Sequence, residues 1–302
     1  MTNIIKKSYR KSPLNYIGGK YKLLPQILPL FPKEMDIFLD LFCGGLNVAL
    51  NIDKIAHCKE IICNDNLIYL IELYRFLQNN SLDSTLNDIE NIIKKYNLNL
   101  HNKQGYLALR DAYNADKSPL MLFTLIAFGF NHQIRFNNSH HFNTLFGENR
   151  SSFNNNMKQN LVDFIVFLQE KNIRFCSFDF MQSLTLSNLT NKSFVYADPP
   201  YFIAKGTYND GKRCFSGWNE ILESKLLESL KKLDSKHIKF ALSNVLIHKN
   251  NENRILKHWI EVNNFNVYYL SSNYTNSNYQ AKHKNATQTQ EILVTNYKAS
   301  LF

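Results

Sequence analysis

The sequence predicts an α/β fold with a parallel sheet, and two observations support this prediction. Short apolar segments alternate along the chain with longer stretches whose apolar residues have helical spacing. A strand predicted at residues 36–42 runs into a glycine turn at residues 43–45 (CGG), and a second strand at residues 60–63 is followed by Asp65. The order strand, glycine turn, helix, strand, acid is typical of a βαβ unit, in which the two strands are parallel.

The other elements continue the same alternation. Further strands are predicted at residues 173–176, 193–197, 237–242, 267–270 and 291–295. Helices are predicted at residues 20–30 (interrupted at Pro25), 46–55, 67–78, 86–96, 106–113, 119–130, 161–169, 219–233 and 252–262. Residues 133–146 alternate without helical period and indicate a hairpin or a long loop. Helices thus dominate residues 76–150, which we interpret as a segment inserted into one α/β domain formed by residues 1–75 and 151–302.

Composition and charge restrict the class of protein. The 302 residues carry a formal net charge of +10, which favours partners with phosphate backbones or anionic membrane surfaces. The five cysteines include no C-x-x-C pair, which argues against a disulfide framework or structural zinc, and the nine histidines form no metal-ligand pattern. We therefore expect no metal. Because no apolar run reaches membrane-spanning length and no secretion signal is evident, we expect a soluble cytoplasmic protein, as a monomer or weak dimer.

The glycine turn is the first candidate binding feature. Glycines between a strand and a helix allow a ligand to approach the backbone closely, and an acid after the next strand can accept hydrogen bonds from ribose hydroxyls. Asp65 follows Gly45 by 20 residues, the spacing expected of a nucleotide-type cofactor site. The turn reads FCGGL rather than a complete G-x-G-x-x-G, so these residues also fit a tight turn that binds no ligand.

A second feature is the segment SFVYADPPY at residues 193–201. An apolar strand there ends in the four residues Asp198, Pro199, Pro200 and Tyr201. The prolines lack N–H groups and end strand pairing, so nearby backbone carbonyls have no partner in the sheet. The carboxyl end of a parallel strand is where α/β sheets place their binding sites. Taken alone, the segment also fits a rigid turn without a catalytic role.

The chemistry of this segment suits an exocyclic amine such as N6 of adenine. That nitrogen is a poor nucleophile because its lone pair is delocalised into the ring. The carboxylate of Asp198 and the carbonyl of Pro199 can each accept one amine hydrogen, which favours a pyramidal nitrogen whose lone pair points at a methyl donor. Tyr201 can stack on a base that is flipped out of a duplex. A cytosine C5 enzyme would need a cysteine after a proline, and this chain has none.

In combination, these motifs resemble the Dam-like, alpha-class DNA adenine N6-methyltransferases over nearly the whole chain. PLNYIGGKYKLLPQI resembles the family's opening motif, FLDLFCGGLNVAL its glycine motif, ICNDN its ribose-binding acid, RFCSFDF a contact to the cofactor adenine, and YADPPY its catalytic motif. The resemblance implies a Rossmann-like methyltransferase sheet that binds S-adenosylmethionine. It places cofactor-binding residues at Tyr16, Gly18, Gly19, Lys20, Asp40, Phe42, Gly44, Gly45, Asp65, Asp179 and Phe180.

The resemblance also implies a DNA-binding segment within the helical insertion. NHQIRFNNSHHFNTLFG, at residues 131–147, is similar to the stretch that touches DNA near the target in this family. The DNA-binding candidates in that stretch and in the loop after the catalytic motif are Asn131, Arg135, Asn137, Lys205 and Tyr208.

The chain departs from the family pattern at two turns. The family often has a glycine where this chain has Leu46, so a different backbone is expected there. It often has another glycine in the stretch where this chain has His140 and His141, which leaves the geometry of that turn open. Asn244 matches a family position near the active site, and we interpret it as capping the end of a strand.

The function implied by the resemblance is methylation of adenine N6 in a specific double-stranded DNA sequence, by base flipping and in-line transfer. DNA is then the expected partner, and a cognate restriction endonuclease is a further candidate. The residues leave open methylation of cytosine N4, or of an amine in RNA or protein. They also leave open an inactive DNA-binding relative, although the intact Asp198 and Tyr201 argue against it. The incomplete glycine fingerprint and the D-P-P-Y segment argue against a nicotinamide-dependent dehydrogenase.

Overall fold

The sheet that positions the site is mixed and mostly parallel. The computed structural model describes residues 9–203, 217–271 and 289–299. The strands are β1 (Ile37–Asp40), β2 (Glu60–Asn64), β3 (Ile173–Cys176), β4 (Ser193–Ala197), β5 (Lys239–His248), β6 (Asn251–Glu252), β7 (Asn266–Leu270) and β8 (Thr289–Thr295). Their order across the sheet is β3-β2-β1-β4-β5-β8-β7, with β6 paired to β5. The predicted α/β fold with a parallel sheet is confirmed.

Strand direction decides which residues meet at one edge of the sheet. The strands β3, β2, β1, β4 and β5 run parallel, whereas β8 runs antiparallel between β5 and β7. In register, Leu39 of β1 lies between Ile62 of β2 and Val195 of β4. Parallel strands end at the same edge, so polar residues that follow β1, β2 and β4 meet there. Because β8 runs in the opposite direction, it begins at that edge.

Helices cover both faces of the sheet. The helices are α1 (Leu24–Ile27), α2 (Ile68–Asn79), α3 (Leu82–Lys95), α4 (Lys103–Asp116), α5 (Pro119–Phe128), α6 (Asn155–Glu170), α7 (Phe180–Leu186), α8 (Glu220–Ser235) and α9 (Arg254–Asn263). Alternate strand residues face two cores: Phe38 and Phe194 pack with α1–α6, and Leu39 and Val195 pack with α7–α9. The strands are therefore apolar on both faces, as buried parallel strands are. Within the described ranges, every helix is too short or too polar to cross a lipid bilayer.

The helices α3, α4 and α5 lie in the segment that the sequence predicts as an insertion. Helix α5 is apolar and buried along most of its length, and it packs against α2, α3 and α4. Helix α2 ends at Asn79, so the predicted start of the insertion at residue 76 falls inside this helix. The division of the chain into a catalytic domain and an inserted segment stays a prediction.

The stretch that was predicted as a helix at residues 46–55 is mostly not one. Only Ala49–Lys54 is helical there, and it is a 3₁₀ helix. The side-chain amide of Asn51 donates to the carbonyl of Asn47 at 2.9 Å, and so occupies the acceptor of an α-helical bond. The backbone N–H of Asn51 donates to the carbonyl of Val48 instead, which is the 3₁₀ pattern.

Two other local predictions need correction. The helix predicted at residues 20–30, with an interruption at Pro25, is more fragmented than expected: 3₁₀ turns at Tyr21–Leu23 and Leu28–Leu30 flank the short α1, which contains Pro25. Pro25 and Pro29 lack the N–H groups that a continuous α-helix needs. The sequence predicted no helix at α7, where Asp179 caps the first turn by accepting a hydrogen bond from a backbone N–H.

Of the two forms expected at residues 133–146, a hairpin or a long loop, the structure shows a hairpin with isolated bridges, and it is fixed to the end of α4. An antiparallel bridge pairs Phe136 with Phe142. The side chain of Asn114 accepts from the N–H of Phe142 at 2.7 Å and donates to the carbonyl of the same residue at 3.1 Å. Lys117 donates to the carbonyl of His140 at 2.8 Å. Helix α4 therefore holds both the strand and the turn of the hairpin.

Two buried tyrosines provide a matched test of how α2 supports the glycine turn. The hydroxyl of Tyr74 donates to the carbonyl of Gly44, whereas the equally buried hydroxyl of Tyr113 has no partner among the described residues. Replacing Tyr74 by Phe leaves that carbonyl unpaired and should lower the free energy of unfolding by about 1–2 kcal/mol. Tyr113→Phe should be neutral or stabilising. Urea unfolding of both variants measures these free energies. Equal losses of unfolding free energy in the two variants would show that the hydrogen bond from Tyr74 to Gly44 does not stabilise the turn.

Candidate active site

A cavity of about 350 Å³ lies at the edge of the sheet where β1, β2 and β4 end. Its volume is within the range of about 300–1,000 Å³ that is usual for ligand pockets. The cavity is lined by all fifteen residues that the sequence analysis assigned to cofactor binding and catalysis. The structure therefore brings together motifs that are spread from Tyr16 to Tyr201. The part that each residue plays in binding or catalysis stays a prediction.

The glycine turn after β1 forms the floor of the cavity through close contacts. Gly44 has φ +43°, and a Cβ atom there would lie 2.9 Å from the ring of Tyr16. The turn is also tied to the acid after β2, because the N–H of Gly44 donates to Asp65 Oδ2 at 3.1 Å. Asp65 Oδ1 accepts from the N–H of Leu67 at 2.9 Å. The opening motif, the glycine turn and the acid are thus packed as one unit.

Leu46 takes a backbone conformation that usually requires glycine. It is buried and has φ +60°, in the left-handed region. For a residue with a side chain this conformation costs roughly 1–2 kcal/mol. Leu46 therefore adopts a conformation that glycine takes more readily, and the expectation of a backbone different from that of the family stays a prediction.

Asp40 is a buried carboxyl group at the end of β1. Its Oδ1 has no hydrogen-bond partner among the described residues, although the backbone N–H of Ala49 donates to the group. Burial raises the pKa of Asp40 well above its usual range, and the nearby carboxylates Asp198 and Asp65 raise it further. A buried polar atom without a partner, facing a cavity, is suited to contact a ligand.

Lys20 reaches from the N-terminal segment to the catalytic motif after β4. Its Nζ lies 2.8 Å from Asp198 Oδ2 and also donates to the carbonyl of Gly18 at 2.9 Å. The lysine side chain is only 4% exposed and that of Asp198 is 17% exposed, so this ion pair is largely shielded from water. The sequence analysis assigned Lys20 to the cofactor, and its observed partner is the predicted catalytic carboxylate.

Glu291 completes this cluster and was not predicted from the sequence. The hydroxyl of Tyr201 donates to Glu291 Oε1 at 2.8 Å and lies 3.3 Å from Asp198 Oδ1. Lys20 Nζ lies 3.6 Å from Glu291 Oε1. The carboxyl side chain of Glu291 is fully buried on β8. The sequence did contain a signal for this residue, because Glu291 stands among the apolar residues of a predicted strand. A glutamate is rarely buried unless it has partners.

The pKa of Asp198 is balanced by these neighbours. Burial raises the pKa of Asp198 to about 6, the charge of Lys20 opposes this rise, and that of Glu291 adds to it. At neutral pH the carboxylate form therefore predominates, and it can accept hydrogen bonds. Its pKa is nevertheless high enough for it to take up a proton from a strongly acidic donor.

An aromatic wall closes another side of the cavity. Phe42 lies 5.8 Å from Phe180 and 5.6 Å from Trp218 between ring centroids, and the latter two rings are 5.8 Å apart. Asp179, at the start of α7, lies beside this wall in the cavity lining. Trp218 belongs to the loop after the catalytic motif and was not among the residues predicted to bind the cofactor.

A buried carboxyl group holds Trp218 in place. Trp218 Nε1 donates to Glu223 Oε2 at 2.6 Å, and the side-chain amides of Asn244 and Asn253 donate to Glu223 Oε1 at 3.0 and 2.9 Å. Burial raises the pKa of Glu223, and the three hydrogen bonds oppose this rise. Asn244 lies inside β5, so the predicted structural role stands, but the prediction that it caps a strand end is wrong.

Arg135 is one of the exposed residues among the predicted DNA-binding candidates. Its side chain is exposed on the 133–146 hairpin and has no hydrogen bond or ion pair with the described part of the chain. A salt bridge within the loop would be a structural alternative to a DNA contact, and the described residues do not provide one. The neighbouring Ile134 lines the cavity, so the arginine lies beside its mouth.

The other DNA-binding candidates are placed differently. Asn137 Oδ1 accepts from the N–H groups of Ser139 and His141, so this side chain shapes the turn of the hairpin. His140 has φ +59° in that turn and takes the place of a glycine. Asn131 is exposed, and its carbonyl accepts from an asparagine side chain of the opening motif at 2.9 Å. The remaining candidates, Lys205 and Tyr208, lie outside the described residues.

These features define a class of protein. A parallel sheet with an antiparallel strand inserted beside its last strand, a glycine turn after β1 and a D-P-P-Y segment after β4 are consistent with the S-adenosylmethionine-dependent methyltransferase fold. The family model of the D12 class N6 adenine-specific DNA methyltransferases matches residues 16–276. The chain belongs to this family, and the resemblance inferred from its motifs is confirmed.

Named relatives agree with this assignment. The chain is 46% identical over 296 residues to the modification methylase StsI of Streptococcus sanguinis, covering 98% of this chain and 44% of that protein. It is 44% identical over 290 residues to the Type II methyltransferase M.FokI of Planomicrobium okeanokoites, covering 96% and 43%. It is 34% identical over 288 residues to the modification methylase LlaI of Lactococcus lactis, covering 95% and 43%. The chain thus spans less than half the length of these three relatives.

Two glycines with left-handed backbones allow a test of the contact between Tyr16 and the turn. Gly44→Ala adds a methyl group 2.9 Å from Tyr16, whereas Gly217→Ala, at φ +74°, meets nothing within 4 Å among the described residues. Both changes incur a conformational cost of about 1 kcal/mol. Only Gly44→Ala must also displace Tyr16, so its loss of unfolding free energy should exceed the other by 1 kcal/mol or more, on the order of an overpacked core site. Similar losses of unfolding free energy for the two variants in urea would show that the contact with Tyr16 does not require glycine at position 44.

Proposed function

We propose that this chain transfers the methyl group of S-adenosylmethionine to N6 of an adenine in a specific double-stranded DNA sequence. The observation that carries the proposal is the shielded ion pair of Lys20 with Asp198, at the point where the D-P-P-Y segment enters the cavity. It keeps a carboxylate ionised beside the carbonyl groups of two prolines. Membership of the N6 adenine-specific family supports adenine as the base.

The cavity residues fit the proposed methyl donor. Asp40 Oδ1, buried and without a described partner, is an acceptor for a ligand ammonium group. Each oxygen of Asp65 accepts a backbone N–H, and a carboxylate oxygen has a second lone pair that can accept from a ribose hydroxyl. The wall that includes Phe42 and Phe180 suits the face of an adenine ring. S-adenosylmethionine supplies an electrophilic methyl group on a positively charged sulfur when it is bound.

The catalytic residues act on the amino group of the base. The carboxylate of Asp198 and the carbonyl of Pro199 accept its two hydrogens and orient the nitrogen lone pair. Lys20 fixes Asp198 through Oδ2, and Oδ1, which lies 3.3 Å from the hydroxyl of Tyr201, is the oxygen that accepts from the substrate. Tyr201, whose ring lies 5.0 Å from Lys20 Nζ, offers a surface on which the flipped base stacks. Once methylated, the nitrogen is positively charged and loses a proton, which a carboxylate with a pKa of about 6 can accept.

The DNA is bound through basic and exposed residues near the mouth of the cavity. The net charge of +10 favours binding of a polyanion such as DNA. Arg135 is exposed on the hairpin and forms no ion pair with the described residues, so its guanidinium group can contact DNA. Arginine is the side chain best suited to recognise a guanine edge or a phosphate. Relatives are named modification methylases and Type II methyltransferases, which supports a cognate restriction endonuclease as a functional partner of this chain.

The first test removes the charge of the proposed catalytic carboxylate. Asp198→Asn should abolish detectable methyl transfer to duplex DNA while DNA binding is largely kept. Asp111→Asn removes the same charge from the exposed surface of α4 and serves as the control. In the wild-type chain the rate should fall below a pH of about 6, roughly tenfold per pH unit, because the carboxylate with that pKa becomes protonated. Transfer by Asp198→Asn at the wild-type rate would refute the mechanism.

The second test concerns recognition of the DNA sequence. Arg135→Ala should weaken binding to the methylated sequence more than binding to unrelated DNA, by about 1–3 kcal/mol if the arginine contacts a base. Arg254→Ala removes an exposed arginine from α9 and should lower both affinities by the same small factor, if at all. Titrations at one fixed salt concentration give all four constants. An equal loss on both DNAs for Arg135→Ala would make this residue a phosphate contact only.

A further inference from the structure

We infer that Glu291 on β8 is a positioning residue for methyl transfer, which accepts the hydroxyl hydrogen of Tyr201 and thereby leaves Asp198 Oδ1 available to the amino group of the substrate. The inference rests on the proposed function and extends it beyond the D-P-P-Y segment. It assigns a role to a residue that lies about 90 positions further along the chain than Tyr201.

The burial of Glu291 needs an explanation. It lies inside the sheet, opposite Val245 of β5 and Leu270 of β7, and its side chain is fully buried. Removing a carboxylate from water costs several kcal/mol unless charged and hydrogen-bonding partners compensate. Tyr201 and Lys20 are two such partners, at 2.8 and 3.6 Å, and both line the cavity. These two contacts connect the buried charge to the site.

The role of Glu291 depends on competition with Asp198 for the hydroxyl hydrogen of Tyr201. A tyrosine hydroxyl has a single hydrogen to donate. The distance from Tyr201 to Glu291 is 2.8 Å and that to Asp198 Oδ1 is 3.3 Å, so the stronger bond goes to Glu291. Without Glu291 the hydroxyl would turn to Asp198 Oδ1, and both oxygens of that carboxylate would then accept protein hydrogens. Glu291 thus keeps one oxygen of Asp198 as the acceptor for the base.

Glu291 also acts on Asp198 through charge. The charged and titratable groups around Asp198 come from several elements, and they are Lys20 before α1, Asp40 on β1, Tyr196 on β4, Tyr201 after β4, and Glu291 on β8. Lys20 attracts both Asp198 and Glu291, so the two carboxylates share its positive charge. Removing the charge of Glu291 should lower the pKa of Asp198, because a repelling charge is lost and Lys20 then pairs with Asp198 alone.

The test is the nearly isosteric change Glu291→Gln, compared with Tyr201→Phe and with both changes together. Glu291→Gln should lower kcat about ten- to hundredfold with little change in KM for DNA, since the acceptor is misplaced rather than the DNA site lost. The double variant should be faster than Glu291→Gln and match Tyr201→Phe, because without the hydroxyl no protein hydrogen competes with the base for Asp198 Oδ1. In Glu291→Gln the fall in rate at acid pH should occur at lower pH than in the wild-type chain.

A measurement without DNA or methyl donor gives an independent result. Carbon-13 NMR follows the carboxyl carbon of Asp198, assigned as the signal that is missing in Asp198→Asn. Its midpoint should move from about 6 to lower pH in Glu291→Gln. Thr295→Val removes another buried polar group from β8 and is the control for general damage to the strand, so the Asp198 midpoint should not move.

The outcomes separate the inference from the proposed function. An unmoved Asp198 midpoint in Glu291→Gln would overturn the inference, as would rate losses that simply add to those of Tyr201→Phe. If Glu291→Gln does not fold, the wild-type chain and Tyr201→Phe still decide by NMR. A hydroxyl that Glu291 holds away from Asp198 contributes little to the pKa of Asp198, so the midpoint should stay near 6 in Tyr201→Phe, and a clear rise would overturn the inference. If the wild-type chain methylates no DNA at all, the proposed function fails, and the NMR midpoints still decide whether Glu291 controls Asp198.

Discussion

Lys20 and Asp198 meet 2.8 Å apart inside the cavity, and the arrangement of the site depends on this ion pair. It ties the segment before α1 to the end of β4, and so places Tyr16 over the glycine turn. It also sets the charge of the site, since the described cavity lining otherwise carries acidic groups such as Asp40 and Asp65. A carboxylate that is shielded from water stays ionised only where a cation compensates its lost hydration. Lys20 provides that cation without covering both oxygens of Asp198.

The topology of the sheet explains why acids from distant segments share one cavity. Asp40, Asp65 and Asp198 lie at or just after the carboxyl ends of the parallel strands β1, β2 and β4. Glu291 belongs to the antiparallel β8, so its position near the beginning of that strand brings it to the same edge. One antiparallel strand therefore adds a group that a wholly parallel sheet could supply only from a loop. The α4 helix and the 133–146 hairpin place Arg135 beside this edge from outside the sheet.

Much of this arrangement could be predicted from the sequence, because its signals are local. Apolar runs gave β2, β3, β4 and β7 to within one residue, whereas β5 extends six residues beyond its predicted end and β6 was not predicted. The glycine turn and the D-P-P-Y segment marked two strand ends. Local patterns gave a wrong prediction where a side-chain hydrogen bond replaces a helical backbone bond, as that of Asn51 does in the stretch predicted as an α-helix. They also failed for Glu291 and Trp218, whose roles depend on partners far away along the chain. The left-handed backbone at Leu46 could not be predicted, because leucine rarely adopts it.

The central claim is that the carboxylate held by Lys20 directs a methyl group to N6 of adenine in a defined DNA sequence. The most direct measurement is the sequencing of modified bases in DNA from cells that express this chain, compared with cells that express Asp198→Asn. The account predicts N6-methyladenine at one recognition sequence in the first DNA and none above background in the second. Methylation of cytosine N4, or the same adenine methylation in both DNAs, would contradict it.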